Sequence, residues 1–273
     1  MSVATFAAAQ LLRALPRSSL SHAVGKLSER PLSPGVSRAI TSAYIQAFGV
    51  DMTDVDSSDG AYPTFDAFFT RELRSGARTV SGDAVVSPAD GLLSAFGPID
   101  TRSEFLVKGK RYGLVELIGD EREAERLAGG AFAVVYLSPR DYHRVHCPVD
   151  GHLYRVKGIS GDLYPVNAIG ERHVPNLFVK NQRVAMFLDM GSRGSAVVVM
   201  VGAMIVGKIT VRAIPSNETP LGDHRIEPAI SLRRGDEMGT FHLGSTVVML
   251  LSPGTTLGRP AGPVRYGQSL LFA

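Results

Sequence analysis

The chain has 273 residues, 44% hydrophobic and 20% charged, with 29 Gly, 16 Pro and one cysteine. It is long enough for one large domain or two small ones, and a single Cys147 excludes an internal disulfide or a paired-cysteine zinc ribbon and fits a reducing compartment. The net charge of +3 is uneven: residues 1–50 set Arg13, Arg17, Lys26, Arg30 and Arg38 against Glu29 alone, a local +4 on a body of −1, and this Ala/Leu-rich basic end suits an anionic membrane face better than nucleic acid.

Met1 to about Val50 reads as helical. Phe6, Ala9, Leu12 and Leu15 recur near helical spacing, and Pro16 ends that first helix. A second stretch runs through Leu20, Val24 and Leu27, and a third follows Pro34 through Val36, Ile40, Tyr44, Ile45 and Phe48. The apolar part is too short and too interrupted by arginine for a secretory signal, and no segment reaches the 18 or so apolar residues that span a bilayer. Residues 1–62 are expected to form an amphipathic, membrane-associating region lying in the interface. A helical pair packed on the body is the alternative.

Phe65 to Leu73 reads as a short aromatic helix, and Arg74 to Arg78 as a turn into the body. From Val85 the pattern becomes short strands punctuated by Gly, Pro and Asp. Lys108-Gly109-Lys110-Arg111-Tyr112 is a basic hairpin-like step, and Asp120 to Glu125 an acidic helix with a solvated face. Ala131 to Leu137 is a buried strand. Val197–Val201, Met204–Val206 and Ile209–Val211, broken by Gly202 and Gly207, read as a tight meander. No repeat or low-complexity linker divides residues 63–273. The expected fold is α+β: N-terminal amphipathic helices on a mostly antiparallel β body, barrel-like or sandwich-like.

Three stretches carry chemistry. In Ser87-Pro88-Ala89-Asp90-Gly91, Asp90 is presented from a turn, where a turn-forming Asp that bonds its own backbone is the commoner use. In Asp141-Tyr142-His143-Arg144-Val145-His146, two imidazoles stand three apart. They share a face on a helix and diverge in an extended segment, so they serve as partners or do separate jobs. Imidazole is the natural general base near neutral pH; no His-Glu-x-x-His pattern or further ligand supports a metal site. The third stretch is Leu243-Gly244-Ser245-Thr246, at the mouth of the apolar run Val247 to Leu251. Glycine leaves the 244 carbonyl open, and Ser245 Oγ, once activated by a neighbouring base, is placed to attack its own peptide bond.

Together these stretches resemble the phosphatidylserine decarboxylase proenzymes. The resemblance runs from Phe68-Phe69-Thr70-Arg71-Glu72-Leu73 to the C-terminus, and includes Tyr164-Pro165-Val166-Asn167 and Asn181-Gln182-Arg183-Val184-Ala185. Cys147 stands where members often have Met, and Gln182 where Glu is common. The resemblance implies that Asp90 orients His146, that His146 takes the proton of Ser245, and that Ser245 attacks the Gly244 carbonyl. Cleavage then leaves a β chain of residues 1–244 and an α chain of residues 245–273 that starts with a pyruvoyl group made from Ser245. It further implies a Schiff base between that cofactor and phosphatidylserine, electron withdrawal as pyridoxal phosphate provides elsewhere, and His143 as the residue that assists decarboxylation and reprotonates the carbon. The implied product is phosphatidylethanolamine, and the implied location is the cytoplasmic side of the cell membrane, peripheral. A homo-oligomer is compatible with it; nucleic acid has no place.

Three rival readings stand beside it. A Ser-His-Asp hydrolase would use Asp90, His146 and Ser245 on an external substrate, although no Gly-x-Ser-x-Gly elbow surrounds Ser245. A catalytically silent membrane-binding scaffold would bind lipid without cleavage. A pyruvoyl decarboxylase for a soluble amino acid would have no use for the basic amphipathic start.

Overall fold

The computed structural model describes residues 17–56, 61–166, 168–204 and 208–271. The helix expected over Phe6 to Leu15, Asn167 of the Tyr164–Asn167 motif, and Ile205 and Val206 of the expected meander lie outside these residues. The second and third N-terminal helices are formed as α1 (Arg17–Ser28) and α2 (Pro34–Phe48). Pro34 occupies the first turn of α2, where its missing N–H costs nothing, and Gly49 ends the helix at φ 66°. The aromatic helix α3 is shorter than expected, Phe65–Phe69, capped by Thr64 Oγ1 on the Ala67 N–H at 3.0 Å. Thr70 Oγ1 bonds back to the Asp66 carbonyl as the helix stops.

The body is an open antiparallel sheet of eight strands in the order β10-β6-β7-β8-β12-β4-β1-β13. These are β1 (Gly91–Pro98), β4 (Ala131–Leu137), β6 (Gly151–Ile159), β7 (Arg183–Asp189), β8 (Ser195–Gly202), β10 (Gly222–Leu232), β12 (Ser245–Leu251) and β13 (Gly262–Val264). It does not close into a barrel, because β10 and β13 are its two free edges. The sandwich-like part of the expectation holds: a second sheet, β5 (Arg144–His146), β11 (Glu237–His242) and β9 (Lys208–Val211), covers one face. The other face is covered by the hairpin β2 (Glu104–Val107) and β3 (Lys110–Gly113), with α4 (Leu114–Ile118), α5 (Glu121–Leu127) and α7 (Leu177–Lys180).

This double cover explains the sequence. Strand side chains alternate between faces, and here both faces are dry, so β4, β8 and β12 are apolar almost throughout. In β12, Val247, Met249 and Leu251 join the core under the small sheet, while Val248 and Leu250 join the core under the helices. The expected tight meander is not formed: β8 pairs with β7 and β12 in the large sheet, whereas β9 pairs with β11 in the small one. The acidic helix α5 is also more than a solvated face. Ala124 and Leu127 are fully buried and Glu123 nearly so, because α5 roofs β8. The basic hairpin turn is as expected, with Lys108 at φ 49° and Gly109 at φ 78°. Short α6 (Ala168–His173) completes the chain of elements.

Candidate active site

The turn from β11 to β12 carries the chain from the small sheet to the centre of the large one with only two residues, Leu243 and Gly244. Both are held in the left-handed region, at φ 81° and 42°. Gly244 adopts that conformation freely, but Leu243 pays a steric penalty of about 1–2 kcal/mol. Its side chain is nevertheless buried, and the turn is pinned just upstream. His242 Nδ1 donates to the Asp66 carboxylate at 2.9 Å and its Nε2 lies 3.1 Å from Thr210 Oγ1. Nothing in the sequence marked Asp66 or His242 for this contact, since its two members are 176 residues apart.

Ser245 opens β12, opposite Leu137 of β4 and Gly202 of β8. It is 1% exposed, and its Oγ has no hydrogen-bond partner; the neighbouring Thr246 Oγ1 has none either. Two adjacent buried hydroxyls without partners are costly, and such groups in a native fold call for a functional explanation.

The segment after β4 delivers both histidines, His143 from the loop and His146 from the end of β5. His143 is fully buried, its Nδ1 2.9 Å from the Asp141 carbonyl. A carbonyl only accepts, so Nδ1 carries the proton and Nε2 presents a lone pair, which has no partner. Burial pushes the His143 pKa down to about 3, with the bond to Asp141 opposing and the charge of Arg71 adding to the shift. The ring is neutral at physiological pH. His146 has the same tautomer, with Nδ1 2.7 Å from the Gly235 carbonyl and Nε2 3.4 Å from the Tyr142 hydroxyl. Burial lowers its pKa also, against the bond to Gly235 and the charges of Glu237 and Asp90. Both imidazoles are therefore set as bases at Nε2.

Asp90 is buried at the end of its turn, but its partners are not those expected. Arg78 Nη2 reaches its Oδ2 at 2.6 Å, and the Tyr266 N–H donates to its Oδ1 at 2.8 Å. No hydrogen bond joins Asp90 to His146; the Gly235 carbonyl orients that ring instead. The Asp90 charge favours the protonated form of His146 through space, and Tyr266, whose backbone N–H donates to Asp90, stacks its ring on the imidazole at 3.7 Å and 5°. The turn itself is bound to β5 by the His146 N–H on the Pro88 carbonyl at 2.7 Å. Gly91 must be glycine, because a Cβ there would stand 2.3 Å from the Tyr136 carbonyl oxygen. Arg78 and Tyr266 were missed in the sequence. A buried carboxylate demands a cation, but no local pattern says which arginine supplies it.

A cavity of about 460 Å³ opens beside this cluster, lined among others by Asp90, Tyr142, Arg78 and Tyr136. The one cysteine is no rival nucleophile: burial pushes the Cys147 thiol up to about 12. The structure thus brings Asp90, His146, Tyr142 and Tyr266 into one cluster. His143 and Ser245 lie deeper, and neither histidine is bonded to Ser245 Oγ.

The ladder between β5 and β11 ranks the two histidines. Glu237 stands opposite His146, and the Phe241 N–H donates to the His143 carbonyl at 3.0 Å. Four residues of strand, roughly 13 Å, separate those levels, and His143 is at the end that turns into Ser245.

The sequence profile described as phosphatidylserine decarboxylase matches residues 65–272. A phosphatidylserine decarboxylase proenzyme of Marinobacter nauticus is 39% identical over 254 residues, covering 90% of this chain and 88% of its own. Proenzymes of the same name from Methylibium petroleiphilum and Herminiimonas arsenicoxydans are 41% and 40% identical, covering 88% and 94% of this chain and 88% and 90% of theirs.

Proposed function

The chain belongs to the phosphatidylserine decarboxylase family, and is a decarboxylase; from that premise we propose that it matures by cutting itself between Gly244 and Ser245 and then converts phosphatidylserine to phosphatidylethanolamine with a pyruvoyl group made from Ser245. The observation that carries this reading is the burial of Ser245. Ser245 is 1% exposed and its Oγ is buried, so in the uncut chain it meets no external electrophile; the carbonyl available to it is one of its own chain, and that of Gly244 is its neighbour. In the uncut chain the same burial counts against an intermolecular hydrolase, and the full set of Asp90, His143, His146, Gly244 and Ser245 against a silent scaffold.

The maturation steps balance. An imidazole Nε2 takes the Oγ proton, Oγ bonds to the Gly244 carbonyl carbon, and the peptide C–N bond breaks as the amine gains a proton, leaving an ester. Loss of the Ser245 Cα proton then expels the Gly244 carboxylate, which ends the β chain at 244. Water adds to the remaining dehydroalanine and ammonia leaves, so the α chain starts with the keto group. Leu243, strained in the uncut chain, relaxes when the turn is severed. A pyruvoyl group supplies the electron sink that decarboxylation of an amino acid requires and ordinary side chains lack. The site fits it: the first residue of β12 is enclosed, and the Oγ that would be consumed has no structural bond to lose.

In this reading His146 is the base for Ser245, with Asp90 favouring its charged form, the division of labour known from serine hydrolases. His143 assists decarboxylation: its Nε2 takes the proton that the substrate ammonium gives up on reacting and returns it to the carbon that loses CO₂. The ladder favours a second assignment, with His143 also the processing base, since it stands nearer the turn. Cleavage of the His143→Ala chain separates the two: fragments form under the first assignment and not under the second.

The phospholipid substrate calls for work at a membrane surface. Exposed Leu27, Val36, Ile40 and Phe48 of α1 and α2, with Lys26, Arg30 and Arg38 exposed among them, suit peripheral attachment to anionic lipid on the cytoplasmic side. No helix among the described residues is long and apolar enough to cross. The deciding experiment is the intact mass of the purified protein under denaturing, reducing conditions. Two chains split at 244–245, the smaller lighter than its serine form by the mass of ammonia, are expected; one stable intact chain of folded protein would overturn the proposal.

A further inference from the structure

Arg71 is a buried cation that the maturation chemistry does not use. Its side chain is among the most buried charged groups of the molecule, 4% exposed, and it lines the cavity beside Asp90. Only Nη2 is bonded, to the carbonyls of Arg140 and Asp141 at 3.1 and 3.3 Å; Nε and Nη1 are buried with no partner. No carboxylate among the described residues pairs with it, and the Phe68 ring, 5.5 Å away, gives it only a cation–π contact. A guanidinium remains charged even when buried, so two of its nitrogens, with three N–H donors, face the interior without an acceptor. Such an arrangement is stable when a ligand completes it.

The lining of the cavity carries one more cation than anion. Five arginines and four aspartates line it. Arg78 is taken by Asp54 and Asp90, while Arg259 bonds only the Gln268 side-chain oxygen and the Ser269 carbonyl. Two guanidiniums thus have no acid partner among the described residues. Planar guanidinium donors suit the paired oxygens of a phosphate or a carboxylate.

We propose that Arg71, with Arg259 at the cavity wall, is the receptor for the phosphodiester of the substrate headgroup. The inference rests on phosphatidylserine being the substrate. A serine headgroup carries two anions, and the choice between them follows from the reaction. Its carboxylate must leave as CO₂, and a fixed cation on that group would stabilise the ground state more than the transition state. The phosphodiester keeps its charge throughout, so a guanidinium holds it without raising the barrier. It also keeps the headgroup oriented while the rest of the lipid stays outside.

The test uses the full-length Ser245→Ala chain, which needs neither cleavage nor cofactor to bind, so its result does not depend on the maturation proposal. Calorimetric titration with sn-glycero-3-phosphoethanolamine, a phosphodiester without a carboxylate, should show binding that inorganic phosphate competes away and L-serine does not. Arg71→Gln should weaken that binding at least tenfold at an unchanged melting temperature, with Arg71→Lys in between. Absence of binding, competition by L-serine in place of phosphate, or binding indifferent to Arg71→Gln would overturn the proposal. If Arg71→Gln fails to fold, Arg71→Lys and the competition experiment decide alone.

Discussion

Leu243 offers a way to ask whether strain stored in the fold speeds the cut. At φ 81° a leucine occupies a conformation that glycine adopts freely. Replacing it by glycine alone would confound relief of strain with loss of a buried side chain, so the informative comparison is Leu243→Ala against Leu243→Gly. Both lose the same packing beyond Cβ; only alanine keeps the backbone penalty, about 1 kcal/mol at such a site. If the turn relaxes on the way to the ester, that energy is released in the transition state, and alanine should cleave about fivefold faster than glycine. In the uncleavable Ser245→Ala background the order should reverse as stability: the glycine chain should unfold later in urea, by about 1 kcal/mol. The rate assay is the appearance of the two fragments over time after refolding. Glycine cleaving as fast as alanine, while being the more stable chain, would refute the idea that the turn stores useful strain.

Ser245→Ala should give one uncut, inactive chain, and appearance of the two fragments on a denaturing gel would remove Ser245 from the cut. His146→Ala should block cleavage, whereas His143→Ala should process at least in part yet lose most of its turnover; unchanged CO₂ release would take His143 out of the mechanism. The buried neutral state of His143 has a stability signature. Its folded pKa of about 3 lies below the unfolded value near 6.5, so the unfolded chain binds the extra proton and stability falls as pH drops from about 6.5 towards 3. In the Ser245→Ala background, His143→Gln should flatten that part of the pH profile, and urea midpoints that track the parent over the whole window would contradict it. Replacing Ile40 and Phe48 together by Asp should weaken flotation with anionic vesicles more than it lowers turnover on detergent-dispersed lipid; equal losses in both would argue against a membrane role for α2.

Local pattern carried the elements but not their partners. Apolar runs marked β4, β8 and β12 because both faces of these strands are buried, and Pro34 marked the start of α2. The meander misread around Gly202 has a physical origin: a glycine between apolar runs marks a turn in either case, and nothing local says that the next strand joins another sheet. Asp90, His143, His146 and Ser245 stood out by residue type and motif. The structure then divided them, because the Gly235 carbonyl orients His146 and Arg78 holds Asp90. Backbone carbonyls leave no trace in a sequence, and the Arg78–Asp90 contact depends on a loop packing that no periodicity encodes. Arg71 was quoted only as one letter of a motif; its isolation from any acid is a property of the folded interior.

The place of β12 between β8 and β4 has one more consequence. A cut at its first residue leaves the α chain seated as a central strand, seven residues hydrogen-bonded on both sides, so the halves do not part under native conditions. Their history is nevertheless irreversible. Before the cut, refolding is a unimolecular process whose yield is indifferent to dilution. Afterwards the sheet can be rebuilt only if two separate polypeptides meet, and the piece that carries β12 must insert between strands that have no reason to stay apart. Recovery of the matured protein from denaturant should therefore depend on concentration while that of the Ser245→Ala chain does not. The maturation proposed above would act as a ratchet, trading the ability to refold for a lifetime set by the unfolding rate alone.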